Sequence, residues 1–178
     1  MCIFTQNFQK LNFLIFQTKT NMKRTALFSF ILFLITIIYS SCSENVYMDW
    51  KLQNERWYAS LEDSVKNDSA FFKTSSGLYY KKIFQGDPQR SVRAHSYIYA
   101  TYTGKLIDGS TFDSAADASL GQVSGLVPGF QEGIKKMNVD GHYILYIPSK
   151  IGYDTVSTNS LIPPYSILIF DVELKGIQ

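Results

Sequence analysis

YTGKLIDGSTFDS, residues Tyr102–Ser114, decides how the chain folds. A run carrying aromatics turns at Asp108-Gly109 and resumes with Phe112 and Asp113. Asp-Gly between two such runs is a strong hairpin signal, because glycine accepts positive φ at no steric cost. Two later pieces complete the reading. LVPGFQEGIKKM, Leu126–Met137, sets a Pro-Gly break before a short helical pattern. GYDTVSTNSLIPPYSILIFDVEL, Gly152–Leu174, runs through a loop with two prolines into a closing strand.

Outward from these pieces the pattern alternates with period two. Leu78–Phe84 and Tyr143–Ile147 read as strands, the second with Tyr143, Leu145 and Ile147 opposite His142, Ile144 and Tyr146. Val92–Thr103 alternates throughout, which predicts a long strand with Val92, Ala94, Ser96, Ile98, Ala100 and Tyr102 facing the core. Ala115–Gln122 lacks apolar periodicity and is expected to be a loop. Phe130–Met137 makes two helical turns, and Ile167–Leu174 is the last strand. Ahead of them, Ser43–Val46 reads as a short polar tether. Tyr47–Asn67 reads as an amphipathic helix with Trp50, Trp57, Leu61 and Val65 on one stripe. That stripe is either a partner surface or, as expected, a face packed on the chain's own sheet. About five strands and two helices in this order make the class α+β.

The first 41 residues read as a leader. Met22-Lys23-Arg24, the expected start, precedes a mostly apolar run of 14 residues, Ala26–Tyr39, followed by Ser40-Ser41-Cys42. A basic segment, a short apolar segment and small residues describe a secretory signal. The run falls short of the ~20 residues of a membrane span, although an uncleaved anchor is the alternative. A cysteine directly after the small residues looks like a bacterial lipoprotein signal, with Cys42 as lipid acceptor and first mature residue. Expected boundaries are therefore 1–41 leader and signal peptide, 42–75 lipidated tether and helix, and 76–178 globular domain. The expected location is the cell envelope, on the periplasmic side or at the outer membrane.

Removing the leader reverses the charge. All four bases before Cys42 (Lys10, Lys19, Lys23, Arg24) go and no acid does, so 17 basic and 15 acidic residues become 13 and 15, net −2. No basic stripe remains for nucleic acid. Of two cysteines, Cys2 lies in the leader and Cys42 at its end, so the domain has no thiol for a disulfide, metal or nucleophile. His95 and His142 lack ligand-spaced neighbours, so no metal is expected. There is neither a nucleophile elbow nor a phosphate-binding glycine loop.

The ordered motifs YTGKLIDGSTFDS, LVPGFQEG, IPSKIGY and IPPYSILIFDVEL resemble those of the FK506-binding-protein (FKBP) family of peptidyl-prolyl isomerases, over roughly Ser76–Gln178. The resemblance implies an antiparallel five-stranded sheet wrapped around a short helix, here with an extra N-terminal helix. It implies a cofactor-free isomerase of X-Pro bonds acting on proline-containing polypeptides. In that pattern Phe130 is the pocket floor, where the family usually has tryptophan. Tyr102, Phe112 and Phe170 are wall aromatics, and Leu126 and Val127 precede Pro-Gly, with the Val127 N–H bonding a substrate carbonyl. Asp113 supports the pocket by hydrogen bonding, Tyr153 reaches a ligand carbonyl, and Ile162 closes the rim. The family's further wall aromatic is replaced near Leu120 and Gly121, which implies a more open side. A binding module without turnover, and an assembly factor docking through Trp50 and Trp57, are the other readings.

Overall fold

The computed structural model describes residues 42–156 and 161–178. The expected leader, 1–41, lies outside them, and the Cys42 thiol is not among the described side chains. Tyr47–Gln178 forms one compact unit. Helix α1 (Cys42–Asn67) leads into it and begins at Cys42, so the expected tether at Ser43–Val46 is helical. Strands β1 (Phe71–Lys73), β2 (Tyr79–Phe84), β3 (Asp87–Ser91), β4 (Tyr97–Lys105) and β5 (Thr111–Gln122) follow. After them come helix α2 (Pro128–Ile134), β6 (Asn138–Val139), β7 (His142–Ile147) and β8 (Leu168–Ile177). No helix among the described residues is long and apolar enough to cross a membrane.

Six strands form an antiparallel sheet in the order β1-β2-β7-β8-β4-β5, and β3 pairs with β6 in a two-stranded ribbon. The strand count, eight, therefore exceeds the expected five by the short β1, β3 and β6, and β5 runs on through residues 115–122, where a loop was expected. Residues 92–96 correct the opposite way. Ser96 donates its backbone N–H to Arg93 O in a turn, Ala94 is exposed, and β4 starts only at Tyr97.

Alternation places the core. Tyr143, Leu145 and Ile147 of β7 and Leu168, Phe170, Val172 and Leu174 of β8 are buried on one face, beneath Phe130, Ile134 and Met137. Helix α2 lies close to that face because Gly129 and Gly133, one turn apart, meet it. A Cβ on them would stand 2.4 Å from Ile147 Cγ2 and 2.6 Å from Leu145 Cδ1. A second cluster holds α1 to β1 and β2 through Leu61, Phe71 and Tyr79, with Trp57, Val65 and Tyr146 packed against it. Trp50 packs on the main core. The tryptophan stripe thus covers the chain's own sheet, as expected.

Candidate functional site

Phe170 is the hub of an aromatic group drawn from four elements. Its ring meets Phe130 of α2 edge-on at 4.9 Å between centroids, Phe112 of β5 edge-on at 5.4 Å, and Tyr102 of β4 tilted at 6.2 Å. Edge-to-face contacts at these distances are favourable beyond the area they bury, because the positive ring edge meets the negative face. The sheet register brings them together: Gly104 stands opposite Phe170 on β8 and Asp113 on β5. Gly104 has no side chain to fill the space that Phe112 and Phe170 share.

Beside this group opens a pocket of about 260 Å³, lined by Tyr102, Asp113, Leu120, Gly125, Leu126, Val127, Phe130, Tyr153 and Phe170. Seven of the nine residues expected to bind or turn over substrate are among these. The other two do not reach the lining: Phe112 is half-buried behind Phe170, and Ile162 is buried in the core. Leu120 and Gly125 complete the wall. Leu120 comes from β5, so the segment without apolar periodicity contributes a lining side chain.

Each lining residue has a local reason for its place. Phe130 is buried at the start of α2, whose first position is Pro128, a residue with a preset φ and no N–H to waste. The turn before it is fixed by Gln131, whose Nε2 donates to Leu126 O at 2.7 Å and to Ser124 O at 3.2 Å. Sequence reasoning passed over Gln131, since nothing in its identity names its acceptors. The Val127 N–H finds no acceptor among the described residues. Tyr153 follows the short turn Ser149–Ile151, where Gly152 N–H and Asp154 N–H both donate to Ser149 O.

One polar contact spans the wall. The Tyr102 hydroxyl donates to Asp113 Oδ2 at 2.8 Å. Burial, then the bond to Asp113 and the charge beside it, push this phenol up to about 12. It is therefore a neutral donor at any ordinary pH. Among the described residues no three His, Cys, Asp or Glu side chains gather to hold a metal.

A larger cleft, about 560 Å³, lies between α1 and residues 148–150, 154, 165 and 167. Its lining includes Lys51, Glu55, Lys150 and Asp154. Charged walls of this kind favour water over an apolar ring, so size alone does not decide between the two cavities.

Known proteins agree with this arrangement. The pattern of the FKBP-type peptidyl-prolyl cis-trans isomerases matches residues 89–175. The chain is 37% identical over 123 residues to the FKBP-type 22 kDa peptidyl-prolyl cis-trans isomerase of Escherichia coli, covering 66% of this chain and 57% of that one. To the probable FKBP-type isomerase FkpA of Neisseria meningitidis it is 34% identical over 133 residues, 72% and 48% of the two chains. The chain thus spans about half the length of these relatives. Its fold is similar to the crystal structure of FkpA from Escherichia coli, with a TM-score of 0.71 at 26% identity over 83% of this chain and 70% of the other. Residues 89–175, which carry the aromatic pocket, belong to the FKBP-type peptidyl-prolyl cis-trans isomerase family.

Proposed function

We propose that this chain accelerates cis–trans rotation about X-Pro bonds of exported polypeptides, and that a lipid on Cys42 holds it at a membrane of the cell envelope. The observation that carries the first part is the apolar, ring-walled pocket around Phe170. An X-Pro bond rotates over a barrier of ~18–20 kcal/mol that comes from amide resonance, and uncatalysed exchange takes tens of seconds or more. Resonance separates charge between carbonyl oxygen and nitrogen, which water stabilises. A water-poor site favours the twisted amide, in which that separation is lost. Catalysis is then differential binding of the rotated state.

The pocket suits this task in size as well as polarity. Its 260 Å³ lies just below the ~300–1,000 Å³ of pockets for drug-sized ligands. It is many times the ~30 Å³ share of one water. A single prolyl residue is the natural occupant. The free Val127 N–H supplies a donor for a substrate carbonyl, and the bond between Tyr102 and Asp113 braces the wall beside it. Leu120, aliphatic where the family resemblance expects an aromatic, favours a second reading: a proline-peptide binding module with weak turnover.

Exchange spectroscopy on a proline peptide with the full chain separates the two. The enzyme reading expects faster exchange, lost in Phe130→Ala and much reduced in Tyr153→Phe. Saturable binding with unchanged exchange leaves the module, and neither effect removes both. For the anchor, labelled fatty acid should enter the wild-type chain in bacterial cells and not Cys42→Ser. Equal labelling of the two would remove the lipid from the account.

A further inference from the structure

Asn54 occupies the inward stripe of α1, where the helix pattern otherwise places apolar side chains, and only 2% of it is exposed. Both ends of its amide are used. Nδ2 donates to Trp50 O at 2.8 Å, and Oδ1 accepts the Ile167 backbone N–H at 2.9 Å. One turn earlier, Trp50 Nε1 donates to Ser166 Oγ at 3.0 Å, and that hydroxyl donates on to Pro163 O at 2.7 Å. Between these ties the Lys51 ammonium lies 5.0 Å from the centre of the Tyr165 ring. Three consecutive loop residues are therefore held from one helix face, beside the larger cleft.

What they hold is the far side of the pocket. The Tyr165 N–H donates to Asp154 O at 2.7 Å, next in the chain to Tyr153. Tyr165 and Asp154 both take left-handed backbone angles, φ +66° and +52°. Residues other than glycine adopt such angles only where surrounding structure over-determines them. The ties at Pro163, Ser166 and Ile167 bracket Tyr165 and do just that.

Resting on the isomerase reading above, we propose that Asn54 and Trp50 are positioning residues for the prolyl pocket: they fix the 163–167 turn, and through the Tyr165–Asp154 bond they hold Tyr153 against the substrate. Helix α1 then does more than cover the sheet.

The test uses the full chain, a proline peptide, and kcat and KM measured separately. Asn54→Ala should raise KM about tenfold with a smaller change in kcat. Trp50→Phe, which keeps a buried ring and removes only the indole N–H, should move KM the same way. Asn54→Asp, which retains the acceptor for Ile167, should recover most of the loss. Leu61→Ala removes a buried α1 side chain away from the clamp and should lower Tm while leaving KM as it was. An unchanged KM in Asn54→Ala and Trp50→Phe, or an equal rise in Leu61→Ala, overturns the proposal. Should the wild-type chain show no turnover, the isomerase reading fails, and amide hydrogen exchange decides this one separately. Loss of protection at Tyr165 and Ile167 in Asn54→Ala but not in Leu61→Ala upholds the clamp; unchanged protection in both overturns it.

Discussion

Gly104 is where a single atom decides the geometry of the wall. A Cβ there would lie 2.6 and 2.7 Å from Phe112 Cζ and Cε2, and 2.9 Å from Phe170 Cε1. Phe170 cannot swing aside freely, because it is already pressed by Phe130 and Tyr102, and any shift of Phe112 changes its contact with Phe170. Gly104→Ala should therefore cost about 1–3 kcal/mol of stability and lower kcat/KM of the proposed isomerase about tenfold. Gly109→Ala is the comparison. Its Cβ would meet nothing within 4 Å, but its φ is +86°. It should cost about 1–2 kcal/mol and leave kcat/KM unchanged. Denaturant titrations beside rate measurements check both, and equal activity of the two variants would show that the Phe112–Phe170 contact does not shape the pocket. Residues of this kind were partly legible in the sequence. Tyr102, Asp113, Leu126, Val127, Phe130, Tyr153 and Phe170 stood in recognisable motifs. Gln131 and Asn54 did not, because a polar side chain names its chemistry and not the distant backbone group it will meet. Phe112 and Ile162 stood in motifs as well, yet the register puts one behind Phe170 and the other in the core.

Among the elements, α2 is the one whose seating the pocket feels most directly. It has seven residues, too few to be stable alone, so its position comes from the contact of Gly129 and Gly133 with β7. At Gly129 a methyl group would be 2.4 Å from Ile147 Cγ2 and 3.1 Å from Ile151 O. The backbone oxygen cannot rotate away, so the helix itself must lift and carry Phe130 with it. Gly129→Ala is expected to lose about 1–3 kcal/mol, with a larger fall in proline-peptide binding than in Tm. Isothermal titration against thermal unfolding checks this, and binding that survives a lowered Tm would place the floor elsewhere. The same scale shows why the element reading succeeded for β7 and β8 and failed for β5. The first two are central, buried on one side, and alternate cleanly. Strand β5 is an edge strand with register shifts opposite Ile98–Tyr99, Ala100–Tyr102 and Gly104–Lys105, and Asp117 there sits at φ +48°. Each bulge resets which face a side chain occupies, so period two is lost although pairing continues. Residues 92–96 erred conversely, since alternation by itself cannot tell a strand from a turn that happens to alternate.

At the scale of the whole molecule, the aromatic content that builds the pocket also sets the response to alkali. Tyr58, Tyr79, Tyr80, Tyr102, Tyr143 and Tyr146 all have phenol pKa values raised above 10.0, in each case chiefly by burial. For Tyr102 and Tyr143 the rise reaches about 12. An unfolded tyrosine ionises near pH 10, so between about 10 and 12 the unfolded chain has released protons that the folded chain still binds. Stability falls with pH wherever the folded state binds more protons. The contribution of these phenols is therefore whole below pH 10 and is lost as pH climbs through the raised values. The denaturant midpoint should stay level from pH 8 to 10 with respect to these groups and drop steeply beyond. Exposed pairs such as Lys81 with Asp68 add little to that slope. Tyr143→Phe separates the two parts of the argument. Losing the hydroxyl removes its bonds to Gln85 Oε1 and Lys136 O, which lowers the midpoint at every pH. It also removes one titrating group, which must make the alkaline slope shallower. Tyr97→Phe, at an exposed ring on β4, should leave the midpoint at pH 8 where it was. A slope that Tyr143→Phe leaves as steep as before would mean that alkali unfolds the chain through its lysines, and that the buried phenols ionise without the fold opposing them.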